Sequence, residues 1–222
     1  MKFSKKKSKK SEILLEETDG EQQSLLIFDD SASMPRPRII SLYNDIKDET
    51  AEDVVLSFML MKEIDKEAIY ENENDPESEI IGFYHKPIDF LISSWGGEAL
   101  NMFAIYDTMR MVRDECEIHT LGMGKVMSAG VLLLAAGTKG KRRIGANCRI
   151  MLHSVIGGQQ GSLHNLENEM AETRWLQQQH IEALVAETSI TSKQLKRLLN
   201  KKVNIYLNAK EAVKYGIADE IV

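Results

Sequence analysis

The sequence predicts an α/β fold with a largely parallel sheet. Short apolar runs alternate with longer segments of helical period from residue 88 onward. Among these segments, "SAGVLLLAAG" (residues 128–137) is apolar on every face, the mark of a helix buried between layers. Parallel strands joined by crossovers bring their carboxyl ends to one edge, where open α/β sheets bind ligands.

The elements follow in order. Residues 1–37 lack sustained periodicity and end in "SMPRPR". They read as a disordered or extended arm, with "SLLIF" (24–28) as a short strand within it. The compact domain is expected over 38–222 and opens with the strand "RIISLY". Thr50 and Asp53 suggest a capping box for a helix carrying Val54, Val55, Phe58, Met59 and Met61 at three-to-four spacing. Residues 64–87 are acidic and turn-rich around "NENDPES". They read as a surface insertion, a hairpin between Ala68–Tyr70 and Ile80–Tyr84. "IDFLIS" is a strand, "SWGGE" a turn, and "ALNMFAIYDTMRMV" a helix striped by Leu100, Phe103, Tyr106 or Asp107, and Met109. "EIHTLGM" and "CRIMLH" are strands on either side of the buried helix. A helix from Leu163 to Glu187 follows, striped by Leu163, Leu166, Met170, Trp175 or Leu176, Ile181 and Leu184. "TSKQLKRLL" is a helix opened by a Thr191–Gln194 box and "VNIYLN" a strand. "AKEAVKYG" is a helix capped by Asn208 and ended by Gly216.

Composition narrows the function classes. With 43% apolar residues in 222, the chain has material for a real core. A net charge of −6 gives no reason to expect nucleic acid as a partner. The lysines of "MKFSKKKSKK" read as a solvated arm rather than a membrane or nucleic-acid patch, and the acids of "SEILLEETDG" interrupt any signal-peptide pattern. The most apolar run is far shorter than the roughly 20 residues of a spanning helix. Cys116 and Cys148 fit buried thiols in a reducing compartment, so a cytoplasmic location is expected. No metal spacing, cofactor motif or G-x-x-x-x-G-K-[ST] loop occurs, and no cofactor is expected.

Three features stand directly after apolar strands. Ser128 opens the buried helix, where free N–H groups and the helix dipole favour a nucleophile with the Ala129 amide as oxyanion donor. The same position also suits an ordinary N-cap serine. His153 ends a strand and suits a general base, or a structural histidine. The other four, His85, His119, His164 and His180, fall in the insertion, in a strand and on a helix surface. Gly96 and Gly97 open access to backbone amides, as turn glycines do.

Together, "SWGGEALNMFAIYDTMRMV", "GMGKVMSAGVLLLAAG", "NCRIMLHSVIGGQQG" and "YLNAKEAVKYGIADEIV" resemble the proteolytic subunit of Clp protease over about residues 38–222. The resemblance implies a crotonase-like fold with mainly parallel sheet layers and a projecting helix–strand handle. It implies a serine endopeptidase with Ser128 as nucleophile, His153 as general base, and the Gly97 and Ala129 amides as oxyanion hole. Gly96 and the segment Val155, Ile156, Gly157 would hold substrate backbone, the segment being the family's strand that also meets an opposite ring. The resemblance further implies a homo-oligomer of stacked seven-membered rings, fed peptides or unfolded protein by a separate AAA+ ATPase. No nucleic-acid or membrane partner is implied.

The family's aspartate position holds Asn204, and its Ser-Pro-Gly-Gly turn reads "SWGG" here. Asparagine can orient an imidazole through its oxygen but brings no charge to stabilise the imidazolium. Three readings stay open: a Ser128–His153–Asn204 peptidase, a silent subunit of a mixed ring, and a serine–lysine enzyme with Lys125 as base.

Overall fold

The computed structural model describes residues 37–222 apart from 65, 74, 76, 201 and 202. The expected N-terminal arm and its "SLLIF" strand lie outside the described residues. Pro37–Val222 forms one compact unit.

Among the described residues, seven strands build one sheet. Its path runs from β1 (Ile39–Leu42) through β4 (Ile88–Ser94), β5 (Ile118–Met127) and β6 (Arg143–Ile144) to β9 (Glu220–Ile221), all parallel. β7 (Arg149–Leu152) lies parallel to β5, and β8 (Ile205–Leu207) runs antiparallel to β7. The long β5 serves two neighbours on the same edge: Leu121 and Gly122 pair with β6, whereas Lys125–Met127 pair with β7. A register shift against β4 between Ile92 and Ser94 marks this handover, and irregularities of this kind bend a strand. β5 therefore runs through to Met127, not ending near Met123 as its apolar run suggests. The two-residue strands β6 and β9 have no periodic signal to reveal them.

Helices α1 (Asp48–Glu63), α2 (Ala99–Arg113), α3 (Ala129–Ala135), α4 (Leu163–Glu187), α5 (Ser192–Leu199) and α6 (Ala209–Lys214) cover the sheet. Every residue of α3 is buried, as its all-apolar sequence requires. The Phe58 and Phe90 rings meet edge-on at 5.1 Å, tying α1 to β4. Capping boxes form at Thr191–Gln194 and Asn208–Glu211. The box expected at Thr50–Asp53 does not: α1 starts earlier, after Lys47, and its N-cap has no side-chain bond. Asp48 and Glu49 in its first turn instead face the positive end of the helix dipole. The buried stripe of α2 is Met102, Ile105, Tyr106, Met109 and Val112, while Leu100 is exposed.

The hairpin in the insertion forms from β2 (Lys66–Tyr70) and β3 (Ile80–His85). His85 Nδ1 lies 3.0 Å from the Lys62 carbonyl, docking the hairpin to the end of α1. A buried polar knot forms around Arg142 and Glu187. The Arg142 guanidinium donates to the carbonyls of Ala135, Glu187 and Gly216 and to the Asp219 carboxylate. Glu187, 3% exposed, accepts from Tyr106 and Arg113 and pairs with Lys139. Burial pushes the Glu187 carboxyl up, but Arg113 and Lys139 outweigh it and hold it below its ordinary range. Both cysteines are buried, and burial pushes the Cys148 thiol up to about 11, so it packs as an inert small hydrophobe. Among the described residues no helix is long and apolar enough to cross a membrane.

Candidate active site

The candidate site grows out of the carboxyl ends of β4, β5 and β7. Register alone brings Ser128 and His153 together. Met127 pairs with Met151 at the end of the β5–β7 ladder, and the Ser128 N–H donates to the Met151 carbonyl at 2.7 Å. Parallel strands lie about 4.8 Å apart, so Ser128 emerges beside the residues that follow Met151, of which His153 is the second.

Ser128 does not act as an N-cap. Its side chain makes no capping bond, and its backbone sits at φ 52°, ψ −122°. It is the only non-glycine residue with positive φ among the described residues. Such a conformation costs on the order of 1–3 kcal/mol and persists where surrounding structure enforces it, typically at functional sites. Here the strand bond to Met151 on one side and the buried α3 on the other enforce it.

The GG turn packs directly on this residue. Gly96 has φ 98°, and a Cβ there would stand 2.6 Å from the Ser128 Cβ and 3.0 Å from the Ala129 nitrogen. Gly97 lies against Ile46, bracketed by the bonds Ile46 N–H to Gly96 carbonyl (2.8 Å) and Glu98 N–H to Ile46 carbonyl (2.9 Å). Among the described residues neither the Gly97 nor the Ala129 N–H makes a backbone hydrogen bond. The Ala129 amide is free because it opens α3.

These groups share one cavity of about 480 Å³, lined by Gly96, Gly97, Ser128, Ala129, His153, Val155, Ile156 and His180, with Trp95 and Met102. His153 is half-buried, and its Nδ1 lies 2.5 Å from the Ser154 carbonyl. A carbonyl only accepts, so Nδ1 carries the proton and Nε2 keeps its lone pair, the tautomer a general base needs.

Asn204 departs from its expected place. Extending the antiparallel β7–β8 register by one residue past Leu152–Ile205 sets Asn204 beside His153. Its side chain is exposed, and among the described residues it makes no hydrogen bond to the ring; the Nδ1 position is occupied by the Ser154 carbonyl. The backbone thus brings Asn204 beside His153, while the residue itself is exposed to solvent. Lys125 likewise points elsewhere: its Nζ stands 5.4 Å from the centre of the Trp95 ring, a cation–π contact at the cavity mouth.

Residues 153–160 form no strand within this chain. The Val155 N–H donates to Gln177 Oε1 at 2.7 Å, so this amide is not free for substrate. Adjacent amides of an extended chain point to opposite sides, which leaves the Ile156 N–H, on the side away from Gln177, for an incoming backbone.

One site residue escapes the sequence reading. Periodicity places His180 on a helix surface, yet it is 6% exposed and forms part of the cavity wall. The stripe that buries Ile181 and Leu184 on α4 is wide enough to include it. Its three-residue spacing from Gln177 is the signal that points to it.

Comparison with known proteins identifies the family. Residues 83–222 match the family model described as Clp protease. Two cyanobacterial proteins called ATP-dependent Clp protease proteolytic subunit 1 are each 29% identical to this chain over 210 residues. They come from Prochlorococcus marinus strain MIT 9312 and from Prochlorococcus marinus subsp. pastoris strain CCMP1986. Each alignment covers 95% of this chain, and 95% and 94% of the two relatives, respectively.

Proposed function

Because this chain belongs to the Clp protease family, we propose that it is the serine endopeptidase subunit of an oligomeric chamber, with Ser128 as nucleophile and His153 as general base. The observation that carries this reading is Ser128 itself. It is held at φ 52° on a cavity floor between two free amides, beside a histidine in the accepting tautomer.

The mechanism follows from those positions. Ser128 Oγ attacks the carbonyl carbon of the scissile peptide while its proton passes to His153 Nε2. The carbonyl π electrons move onto oxygen, and the Gly97 and Ala129 amides donate to the oxyanion. Collapse breaks the C–N bond, and His153 returns the proton to the leaving amine. Water then attacks the acyl ester, losing a proton to His153, and the acid product leaves as Ser128 recovers its hydrogen. Backbone groups of Gly96, Ile156 and Gly157 flank the scissile bond. The Ser154 carbonyl orients the imidazole, and Asn204, exposed beside it, adds no charge.

Assembly follows from the surface. Ile156, 83% exposed, and the exposed Leu163, Met170 and Trp175 of α4 form apolar ground that a second subunit would cover. Stacked seven-membered rings and a separate AAA+ ATPase partner are the family arrangement this reading adopts, with a cytoplasmic location. The chain carries no phosphate-binding loop motif of its own, so peptide cleavage is expected without ATP.

A fluorophosphonate probe tests the reading. Labelling of the assembled protein is expected on Ser128, with loss in Ser128→Ala and a fall of at least about 10³-fold in His153→Ala. Absence of labelling in an assembled particle would leave a structural subunit as the better reading.

A further inference from the structure

Among the described residues that line the cavity, His180 is the one fully buried ionisable side chain, and the mechanism leaves it unused. It reaches the cavity from α4 and shares the lining with His153, with the apolar Ala99, Met102, Val155 and Ile156, and with the charged Asp45, Lys47 and Glu98. Its Nε2 is sealed from solvent and has no hydrogen-bond partner. One turn earlier, Gln177 offers its Oε1 to Val155 while its Nε2 is equally without a partner. A buried polar atom left unpaired keeps its full desolvation penalty. Of the two residues, His180 lines the cavity, and its unpaired nitrogen equips that wall to receive a polar group.

The kind of group follows from charge. Burial, with His153 close by, holds His180 down to about 4, so the ring is neutral near pH 7. A neutral imidazole offers one donor and one acceptor. A neutral ring offers a charged substrate group no opposite charge, and burying a charge beside it costs far more than burying a neutral polar group. A carboxamide brings both a donor and an acceptor and meets the ring in either tautomer. The terminal ring torsion of histidine is broad, which lets the ring turn toward a group in the cavity.

We propose that His180 is a specificity-determining residue of the Ser128 site, selecting substrates whose side chain on the acyl side of the scissile bond ends in a carboxamide. This rests on Ser128 as the nucleophile.

The test uses quenched fluorescent peptides identical except for Gln, Met, Leu or Glu at that position. The assembled protein should show higher kcat/KM for Gln than for Met. His180→Met should reverse the order, changing the ratio by at least about tenfold, because a site built to hydrogen-bond discriminates against analogues that cannot. His180→Gln, which retains a polar partner, should keep the preference for Gln. An unchanged ratio in His180→Met overturns the proposal; it is the result expected if the ring is only structural or bridges a buried water to Gln177. Should Ser128 prove unreactive, the peptidase reading falls by that separate result. Calorimetry on Ser128→Ala with product peptides ending in Gln or Met then reads the cavity directly, and equal affinities overturn the proposal.

Discussion

Gly96 lies against Ser128 so closely that a Cβ on the glycine would stand 2.6 Å from the serine Cβ and 2.7 Å from the Met127 carbonyl oxygen. The turn after β4 and the residue after β5 are thus one unit: the first has no side chain so that the second can present its hydroxyl. Gly96→Ala would have to push Ser128 out of its enforced backbone conformation. Displacements of about 1 Å at a reacting centre cost about 100-fold, so fluorophosphonate labelling should slow by at least that factor. Gly140→Ala is the control. Its φ of 82° also disfavours alanine, but nothing lies within 4 Å of the new Cβ. It should lower stability by about 1 kcal/mol and leave labelling unchanged. Similar labelling rates in the two variants would contradict the geometric argument.

The exposed, unbonded Asn204 makes a two-sided prediction. Asn204→Ala should change kcat for a short peptide by less than about threefold, while His153→Ala should reduce it by about 10³-fold or more. Asn204→Asp places a carboxylate beside the ring that becomes imidazolium in the proposed mechanism and should raise kcat. A large loss in Asn204→Ala would mean that assembly turns the asparagine onto His153.

His180 makes stability depend on pH. Its folded-state pKa of about 4 lies below its ordinary 6.5. Below pH 6.5 the unfolded chain therefore takes up a proton that the folded chain refuses. The stability associated with neutral His180 is fully present above pH 6.5 and is lost as pH falls toward 4, to a limit of about 3 kcal/mol. Urea unfolding at pH 7.5 and pH 5 should show a larger acid loss in the native sequence than in His180→Gln. Parallel losses would show that His180 does not titrate in this range.

Glu187 holds α2, the turn at Lys139 and the end of α4 together through Tyr106, Arg113 and Lys139. Glu187→Leu leaves the cations without their buried partner and should cost about 3–5 kcal/mol. Thermal unfolding of the variant measures this directly. A loss below about 1 kcal/mol would mean that the knot contributes little.

Features encoded by near neighbours in the chain are legible in the sequence. The strand–helix alternation, the buried α3, the Thr191–Gln194 box, the Asn208 cap and the hairpin at the insertion all depend on residues a few positions apart. The same local reasoning fails at Thr50, where acids in the first turn do the work a cap would do. It also fails for α2, whose inward face is set by which neighbours it meets and not by which residues are apolar. The resemblance points to Ser128 and His153, which stand directly after apolar strands in the sequence.

The sequence by itself determined the alternation of strands and helices, the burial of α3 and which residues follow the apolar strands. Only the tertiary structure decided how those residues are held: that Ser128 adopts positive φ instead of capping α3, that Gly96 supports it, that Ser154 rather than Asn204 meets the ring, and that His180 enters the cavity. The physical reason is separation along the chain. Periodicity and capping are written in spacings of two to four residues, whereas the site forms between groups dozens of residues apart. Their distances and orientations are set by strand register and packing, and no local pattern records them.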